Sequence, residues 1–179
     1  MRKLMGLVVM LVLLLVPVNV LAQEEVGSEA QREIVQEVRS FDLFWPVVAG
    51  KLKGDAVYPL KRLKENIRGI LIFDDFKRAD YYSFLATKRL VEGEALIGKG
   101  DVEGGKAMFG EVVKNLEMAR ERVRVAKQNG KGMGDSGSNM VKQVTNIETF
   151  SLWYRNQEKV EDRYLDDIIQ RVGEVRDAI

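Results

Sequence analysis

Two long runs of apolar residues at helical spacing, joined by the four-residue turn Gly98-Lys99-Gly100-Asp101, constrain the fold of this chain most strongly. The first run predicts a helix from about Phe76 to Gly98, and the second predicts a helix that ends near Gln128. A glycine after one helix and an aspartate before the next are usual stop and start signals. Because the turn is so short, the two helices must lie antiparallel. The sequence therefore predicts a helical hairpin.

No segment alternates apolar and polar residues convincingly with the period of a strand, so we predict an all-α protein. Its expected architecture is an antiparallel helical hairpin with a preceding short helix, from about Glu29 to Ser40, and a long C-terminal helix after a Gly-rich linker. The predicted organisation is a signal peptide over 1–22, an N-terminal helix and irregular arm over 23–54, a helical domain with the hairpin over 55–128, the Gly-rich linker over 129–140 and a C-terminal amphipathic helix over 141–179.

The first residues have the composition of a secretory signal. Arg2 and Lys3 precede an apolar run from Leu4 to Val16, and the small residue Ala22 precedes a polar stretch. The run is shorter than the roughly 20 residues that a membrane-spanning helix needs. We therefore expect an extracytoplasmic protein, cleaved near Ala22, with an N-terminal membrane anchor as the alternative.

The C-terminal segment has apolar residues at alternating steps of three and four from Val144 to Ile179, as in a coiled coil. A straight helix of this length would extend beyond the hairpin, so its aromatic residues are candidates for binding an envelope protein or a second copy of the chain. The alternative is a break near Asn156, after which the helix folds back. The candidate partner-binding residues are Phe150, Trp153, Tyr154 and Tyr164.

A strongly basic helix precedes the hairpin, beginning at Asp55 or at Pro59, whose fixed φ suits a first turn. We expect its apolar stripe to face the protein; the stripe consists of Leu60, Leu63, Ile67 and then Ile70 or Leu71. The basic residues lie mostly off this stripe and are candidates for binding an anionic membrane or cell-wall polymer, unless they are simply a solvated face. They are Lys61, Arg62, Lys64 and Arg68.

Composition excludes several classes of function. The chain has no cysteine and no histidine, so it lacks thiol nucleophiles, disulfides and the commonest general base and metal ligand. Its 28 basic and 27 acidic residues lack the basic excess of a nucleic-acid binder. The acidic pairs Asp74-Asp75 and Asp166-Asp167 diverge on a helix, and Lys88-Arg89 with Glu92 and Glu94 resembles ordinary surface pairing. We predict a non-enzyme with no catalytic residues, no cofactor and no metal.

The segment from Trp45 to Ala119 resembles the bacterial family called domain of unknown function 5667. Its composite motif is carried by Gly54, Asp55, Tyr58, Leu60, Lys61, Phe73, Asp74, Lys88, Arg89 and Leu90. Lys53 stands where that family usually has proline. The resemblance implies an extracytoplasmic helical domain and transfers no catalytic residues. The leading hypothesis is a non-catalytic interaction module of the cell envelope that binds a protein or itself; the alternative is a peripheral binder of an anionic surface.

Overall fold

The structure is a computed structural model that describes residues 39–179. The predicted signal peptide and nearly all of the predicted N-terminal helix lie outside the described residues. Within them the secondary structure is all-α, as predicted. The helices are α1 (Ser40–Phe44), α2 (Tyr58–Leu71), α3 (Asp75–Gly98), α4 (Val102–Gln128), α5 (Gly134–Arg155) and α6 (Asp162–Ala178).

Helices α3 and α4 form the predicted antiparallel hairpin, with both N-termini capped by aspartate. The Asp74 carboxylate accepts a hydrogen bond from the Lys77 backbone N–H at 2.9 Å, and Asp101 accepts one from Gly104 at 2.8 Å. Such a cap contributes about 1 kcal/mol by satisfying a backbone donor that the helix leaves unpaired. The hairpin prediction is confirmed.

The hairpin helices pack closely because two glycines face each other across the contact. A Cβ built on Gly93 would lie 2.7 Å from Cε1 of Phe109, and one built on Gly105 would lie 2.3 Å from Cγ1 of Ile97. Neither position has room for a side chain, so these glycines set the distance between α3 and α4.

Helices α5 and α6 complete a four-helix arrangement with the hairpin. Helix α3 contacts α4 and α5, and α6 contacts the same two helices. The side chains that fill the centre are fully buried and come from all four helices; they include Ala86, Leu90, Phe109, Val112, Leu116, Val144, Ile147, Phe150, Leu165, Ile168 and Val172.

The Gly-rich linker predicted over 129–140 is shorter than expected, because α5 begins at Gly134. Helix formation in this glycine-rich stretch is driven by packing rather than by propensity. Met140 is fully buried in the core, and Met133 packs against the core at the start of the helix. Only 129–133 connects α4 to α5.

The predicted single C-terminal helix over 141–179 is wrong; the alternative of a break near Asn156 is correct. Helix α5 ends at Arg155 and α6 starts at Asp162. Between them Glu158 has a positive φ of 51°, while Val160 is buried and anchors the turn. Because the chain folds back here, the apolar stripes of both helices bury in one core instead of extending past the hairpin.

Candidate functional site

Helix α2 lies outside the four-helix arrangement and packs over the hairpin with its polar face inward. Glu65 and Gly69 are its buried residues. Few of its Cα atoms come near those of α3, since long side chains bridge the gap between the helices. The expectation that Leu60, Leu63 and Ile67 face the protein is wrong: all three are exposed.

The reason for this orientation is a pair of buried charges on α3. Arg89 and Glu92 have 0% exposure and form an ion pair with each other. Arg89 also pairs with Glu65 of α2, and Lys88 donates to the other oxygen of Glu65 at 2.6 Å. If α2 instead turned its apolar face toward α3, Glu65 would no longer pair with Arg89. Leaving the buried Arg89 short of a partner would cost several kcal/mol.

Two further residues of α2 complete this charged cluster. Lys61 donates to Glu92, and the Tyr58 hydroxyl accepts from Nη1 of Arg89 at 3.0 Å and donates to Oε2 of Glu92 at 3.3 Å. Burial, and then the negative charge of Glu92, raise the pKa of the Tyr58 hydroxyl. We call Tyr58, Lys61, Glu65, Lys88, Arg89 and Glu92 the α2–α3 cluster.

Lys61 also holds the irregular segment that precedes α2. Its Nζ donates to the carbonyl oxygens of Ala49 at 3.0 Å and Lys51 at 2.6 Å. Asp55, predicted as a helix N-cap, instead accepts from the Leu52 backbone N–H at 2.7 Å. The turn also requires Gly54, whose φ is 103°. The segment is thereby fixed against the start of α2.

The family-motif residues divide between this contact and other roles. Gly54 and Asp55 form the turn, while Tyr58, Lys61, Lys88 and Arg89 meet in the α2–α3 cluster. Asp74 caps α3, and Leu90 is fully buried.

Leu60 and Phe73, also motif residues, are exposed, with 67% and 85% of their surface accessible. The two carboxylates that join the cluster, Glu65 and Glu92, were not predicted as site residues. The available signal was the spacing of Tyr58, Lys61, Glu65 and Gly69, which forms a second helical stripe opposite the leucines.

The four candidate surface-binding residues have different environments. Lys61 is held in the cluster, and Arg62 pairs with Glu111 of α4 at 2.9 Å. Burial raises the pKa of the Glu111 carboxyl, but hydrogen bonds from Lys114 and Arg62 outweigh it, so the pKa is lowered. Lys64 and Arg68 are exposed, with the Arg68 guanidinium 5.2 Å from the centre of the Tyr81 ring.

The candidate partner-binding aromatics lie mostly within the protein. Phe150 and Tyr154 are buried in the core, and Phe150 stacks on Tyr154 with ring centres 5.1 Å apart. Burial, and then the negative charge of Glu94, raise the pKa of Tyr154 to about 12. Trp153 and Tyr164 are partly buried and pack against the same core. Of the four candidates for binding a partner, Phe150 and Tyr154 are therefore not accessible in this fold.

The outward face of α2 is an apolar surface that the sequence did not predict. With the residues at its two ends it exposes an unbroken stripe, here called the α2 apolar face: Val57, Leu60, Leu63, Ile67, Ile70, Leu71 and Phe73. On a helical projection, Lys64 and Arg68 lie along one edge of this face, next to Leu60 and Leu71. Monomeric proteins seldom leave so continuous an apolar surface without a partner.

A smaller apolar surface lies where the segment after α1 crosses α3 and α5. Phe41, Trp45 and Val48 are exposed there, beside a cavity of about 480 Å³ that Phe84 also lines. Its polar lining consists mainly of amide and lysine side chains, without a group of carboxylates.

The α2–α3 cluster consists of opposite charges that pair with one another, although the buried Nε of Arg89 has no hydrogen-bond partner among the described residues. Within residues 39–179, no group of three or more potential metal ligands comes together. No helix in the same range is long and apolar enough to cross a membrane.

Comparison with known proteins identifies a family and no characterised relative. The family described as Domain of unknown function (DUF5667) matches residues 50–174, which extends the resemblance through α5 and into α6. No curated protein and no solved structure matches the chain.

Proposed function

Since this chain belongs to the DUF5667 family, which carries no assigned activity, we propose a function from its geometry: a non-catalytic module that docks on an anionic membrane surface through α2. The observation that carries the proposal is the orientation of this helix. Its polar face is buried against the hairpin, so its apolar face is presented outward with Lys64 and Arg68 along the edge.

An apolar face needs a partner that removes it from water. Burial stabilises by about 25 cal/mol per Å² of apolar surface, and side chains such as Leu63 and Ile70 are more than half exposed in this structure. A helix of this kind lies in the plane of a bilayer with its apolar side among the upper acyl chains. A cell-wall polymer has no such apolar phase, which favours lipid over polymer.

The charges beside the face favour an anionic lipid over a neutral one. Lys64 and Arg68 border the face, and Lys51 and Lys53 precede the helix in the adjoining segment. Each basic residue near an anionic membrane contributes about 1 kcal/mol of attraction. With the predicted signal sequence, the surface would be the outer side of the cytoplasmic membrane or another envelope membrane.

The C-terminal aromatics give less support to the hypothesis of a protein partner. Phe150 and Tyr154 would have to leave the core to contact one. Trp153 and Tyr164 each remain partly accessible, but they lie against the core rather than standing free.

The test uses a fluorescent label placed at one position. The chain contains no cysteine, so Ile70→Cys in the full chain gives one labelling site on the α2 apolar face. With an environment-sensitive label, we expect a blue shift on vesicles of phosphatidylcholine and phosphatidylglycerol, and little shift on phosphatidylcholine alone.

Leu152→Cys on α5 is the matched control, because Leu152 is also exposed but lies off α2. It should not respond. Because the signal is local, attachment through the N-terminal apolar segment cannot imitate it.

A second comparison separates lipid insertion from simple charge attraction. Leu63→Ser with Ile67→Ser should weaken the vesicle response at position 70 by at least about tenfold, since part of the apolar transfer energy is lost. Val141→Ser with Leu152→Ser removes two exposed apolar groups from α5 and should have no effect. An equal spectral shift of the label at position 70 in both double variants would contradict the proposal. A shift on adding purified envelope protein, and not on adding vesicles, would favour a protein partner.

A further inference from the structure

A groove between α2 and α3 collects basic side chains on the side of α2 that carries Lys64 and Arg68. It has a volume of about 390 Å³. The residues that line it are mainly basic, with one carboxylate and two aromatic rings: Lys51, Lys61, Lys64, Glu65, Arg68, Tyr81, Phe84 and Lys88.

The carboxylate in the groove, Glu65, is already paired with two cationic side chains. One oxygen of Glu65 accepts from Lys88 at 2.6 Å, and the other pairs with the buried Arg89. Its backbone carbonyl accepts from the Tyr81 hydroxyl at 3.1 Å. Glu65 therefore offers little repulsion to an anion in the groove.

The lysines differ in the donors that they have left. Lys61 directs its ammonium at three acceptors, the carbonyls of Ala49 and Lys51 and the carboxylate of Glu92. Lys88 uses one donor, on Glu65. Lys51 and Lys64 form no ion pair with any residue in the described range 39–179. The basic residues that line the groove thus carry several N–H donors that no acceptor in the described residues occupies.

Arg68 forms one edge of the groove, with its guanidinium over the ring of Tyr81. Its guanidinium lies 5.2 Å from the ring centre, which restrains a long side chain without using its hydrogen-bond donors on a carboxylate. A planar guanidinium with unused donors suits a phosphate, which accepts two parallel hydrogen bonds from it.

We propose that this groove binds a phosphate group through Lys51, Lys64, Arg68 and Lys88. That the phosphate belongs to a lipid headgroup rests on the proposed function. Lys64 and Arg68 lie between the groove and the α2 apolar face, so a headgroup bound here would have its acyl chains beside Leu60 and Leu71. Arg89 and Glu92 act beneath the groove as positioning residues, because they fix α2 on α3.

The experiment is a nuclear magnetic resonance titration of the full chain with inorganic phosphate at constant ionic strength, with chloride as the balancing anion. Lys51→Gln with Lys64→Gln removes two exposed donors of the groove without touching the α2–α3 cluster. Lys99→Gln with Lys127→Gln is the charge-matched control, since both lysines are exposed and lie outside the groove. We expect saturable binding by the parent and the control, weakened at least about tenfold in the groove variant, because two of the four proposed charged donors to the phosphate are lost.

A second arm distinguishes the source of the phosphate. Vesicles containing phosphatidylglycerol should give the label response at position 70 in the control variant and a weaker one in the groove variant. Phosphate binding without any vesicle response would support a site for a free phosphate compound and would overturn membrane docking. A vesicle response with no phosphate binding, or with equal binding by both variants, would overturn the groove and leave membrane docking intact.

Discussion

Arg89 and Glu92 illustrate how two buried charges determine the position of a whole helix. Both side chains are inaccessible, and their pairing is completed by Glu65, Lys61 and Tyr58 from α2. Buried ion pairs contribute little net stability when intact, but removing one partner typically costs about 3–5 kcal/mol. We infer that this cluster selects one orientation of α2 rather than adding to the overall stability.

Tyr58→Phe tests the cluster without removing a charge. The hydroxyl accepts from Arg89 and donates to Glu92, so its loss leaves both groups short of a hydrogen bond. We expect urea denaturation to show a free energy of unfolding lower by about 1–3 kcal/mol. Tyr82→Phe is the control, because within residues 39–179 the Tyr82 hydroxyl makes no side-chain hydrogen bond to the protein, and it should change stability much less. Equal effects would contradict the role given to Tyr58.

Asp80 predicts a dependence of stability on pH. Burial raises the pKa of its carboxyl above the usual 3.8, although hydrogen bonds from Gln143 and Asn139 act in the opposite direction. With a raised pKa in the folded state, the stabilising contribution of the group is present below 3.8 and is lost as pH rises through the folded pKa.

Asp80→Asn cannot ionise and keeps an oxygen that can accept from Gln143. Its free energy of unfolding, relative to the parent, should therefore rise as pH increases from below 3.8 to neutral. The exposed Asp167→Asn serves as the control and should show no such trend. Thermal or urea unfolding across this pH range measures the difference, and a parallel pH dependence of Asp80→Asn and the parent would refute the assignment.

At the scale of elements, the glycines of the hairpin give the sharpest prediction. Gly93→Ala places a methyl group 2.7 Å from Phe109 and should lower the free energy of unfolding by about 1–3 kcal/mol through overpacking. In Gly110→Ala on α4, the new methyl group has no other side chain or neighbouring element within 4 Å. It should raise stability by about 0.5–1 kcal/mol, because alanine favours a helix. Calorimetry or urea denaturation gives the free energy of unfolding of both variants. A shift in the same direction for both would contradict the role given to Gly93.

The sequence predicted the elements better than their orientations. Helices α3 and α4 were predictable because local signals, the glycine stop and the aspartate caps, agree with the tertiary fold. Helix α2 carries two stripes of helical period, one apolar and one charged, and periodicity alone cannot decide which is buried. The buried charges of α3 decided it, and that contact is not local in sequence. The break after Arg155 was similarly ambiguous, since the repeat of apolar residues continues on both sides of it.

At the scale of the whole molecule, two kinds of surface coexist. Helices α3 to α6 bury their apolar stripes in one core, whereas α2 buries its charges and leaves its apolar residues outside. The sequence predicted the basic residues of α2 as candidate binders but assigned the apolar ones to the core. The resulting combination, an apolar face beside a basic groove, is the basis of the proposed membrane docking.

The most direct test of membrane docking is a depth measurement along α2. Single cysteines replace the exposed residues Leu60, Leu63, Ile67, Ile70 and Asn66 in turn, carry a fluorophore, and are exposed to phosphatidylglycerol vesicles with spin-labelled acyl chains. Membrane docking predicts strong quenching at the four apolar positions, weaker quenching at Asn66, which borders the apolar face beside Ile70, and none at Leu152 on α5. Uniform quenching around the helix, or none at Leu63 and Ile67, would contradict it.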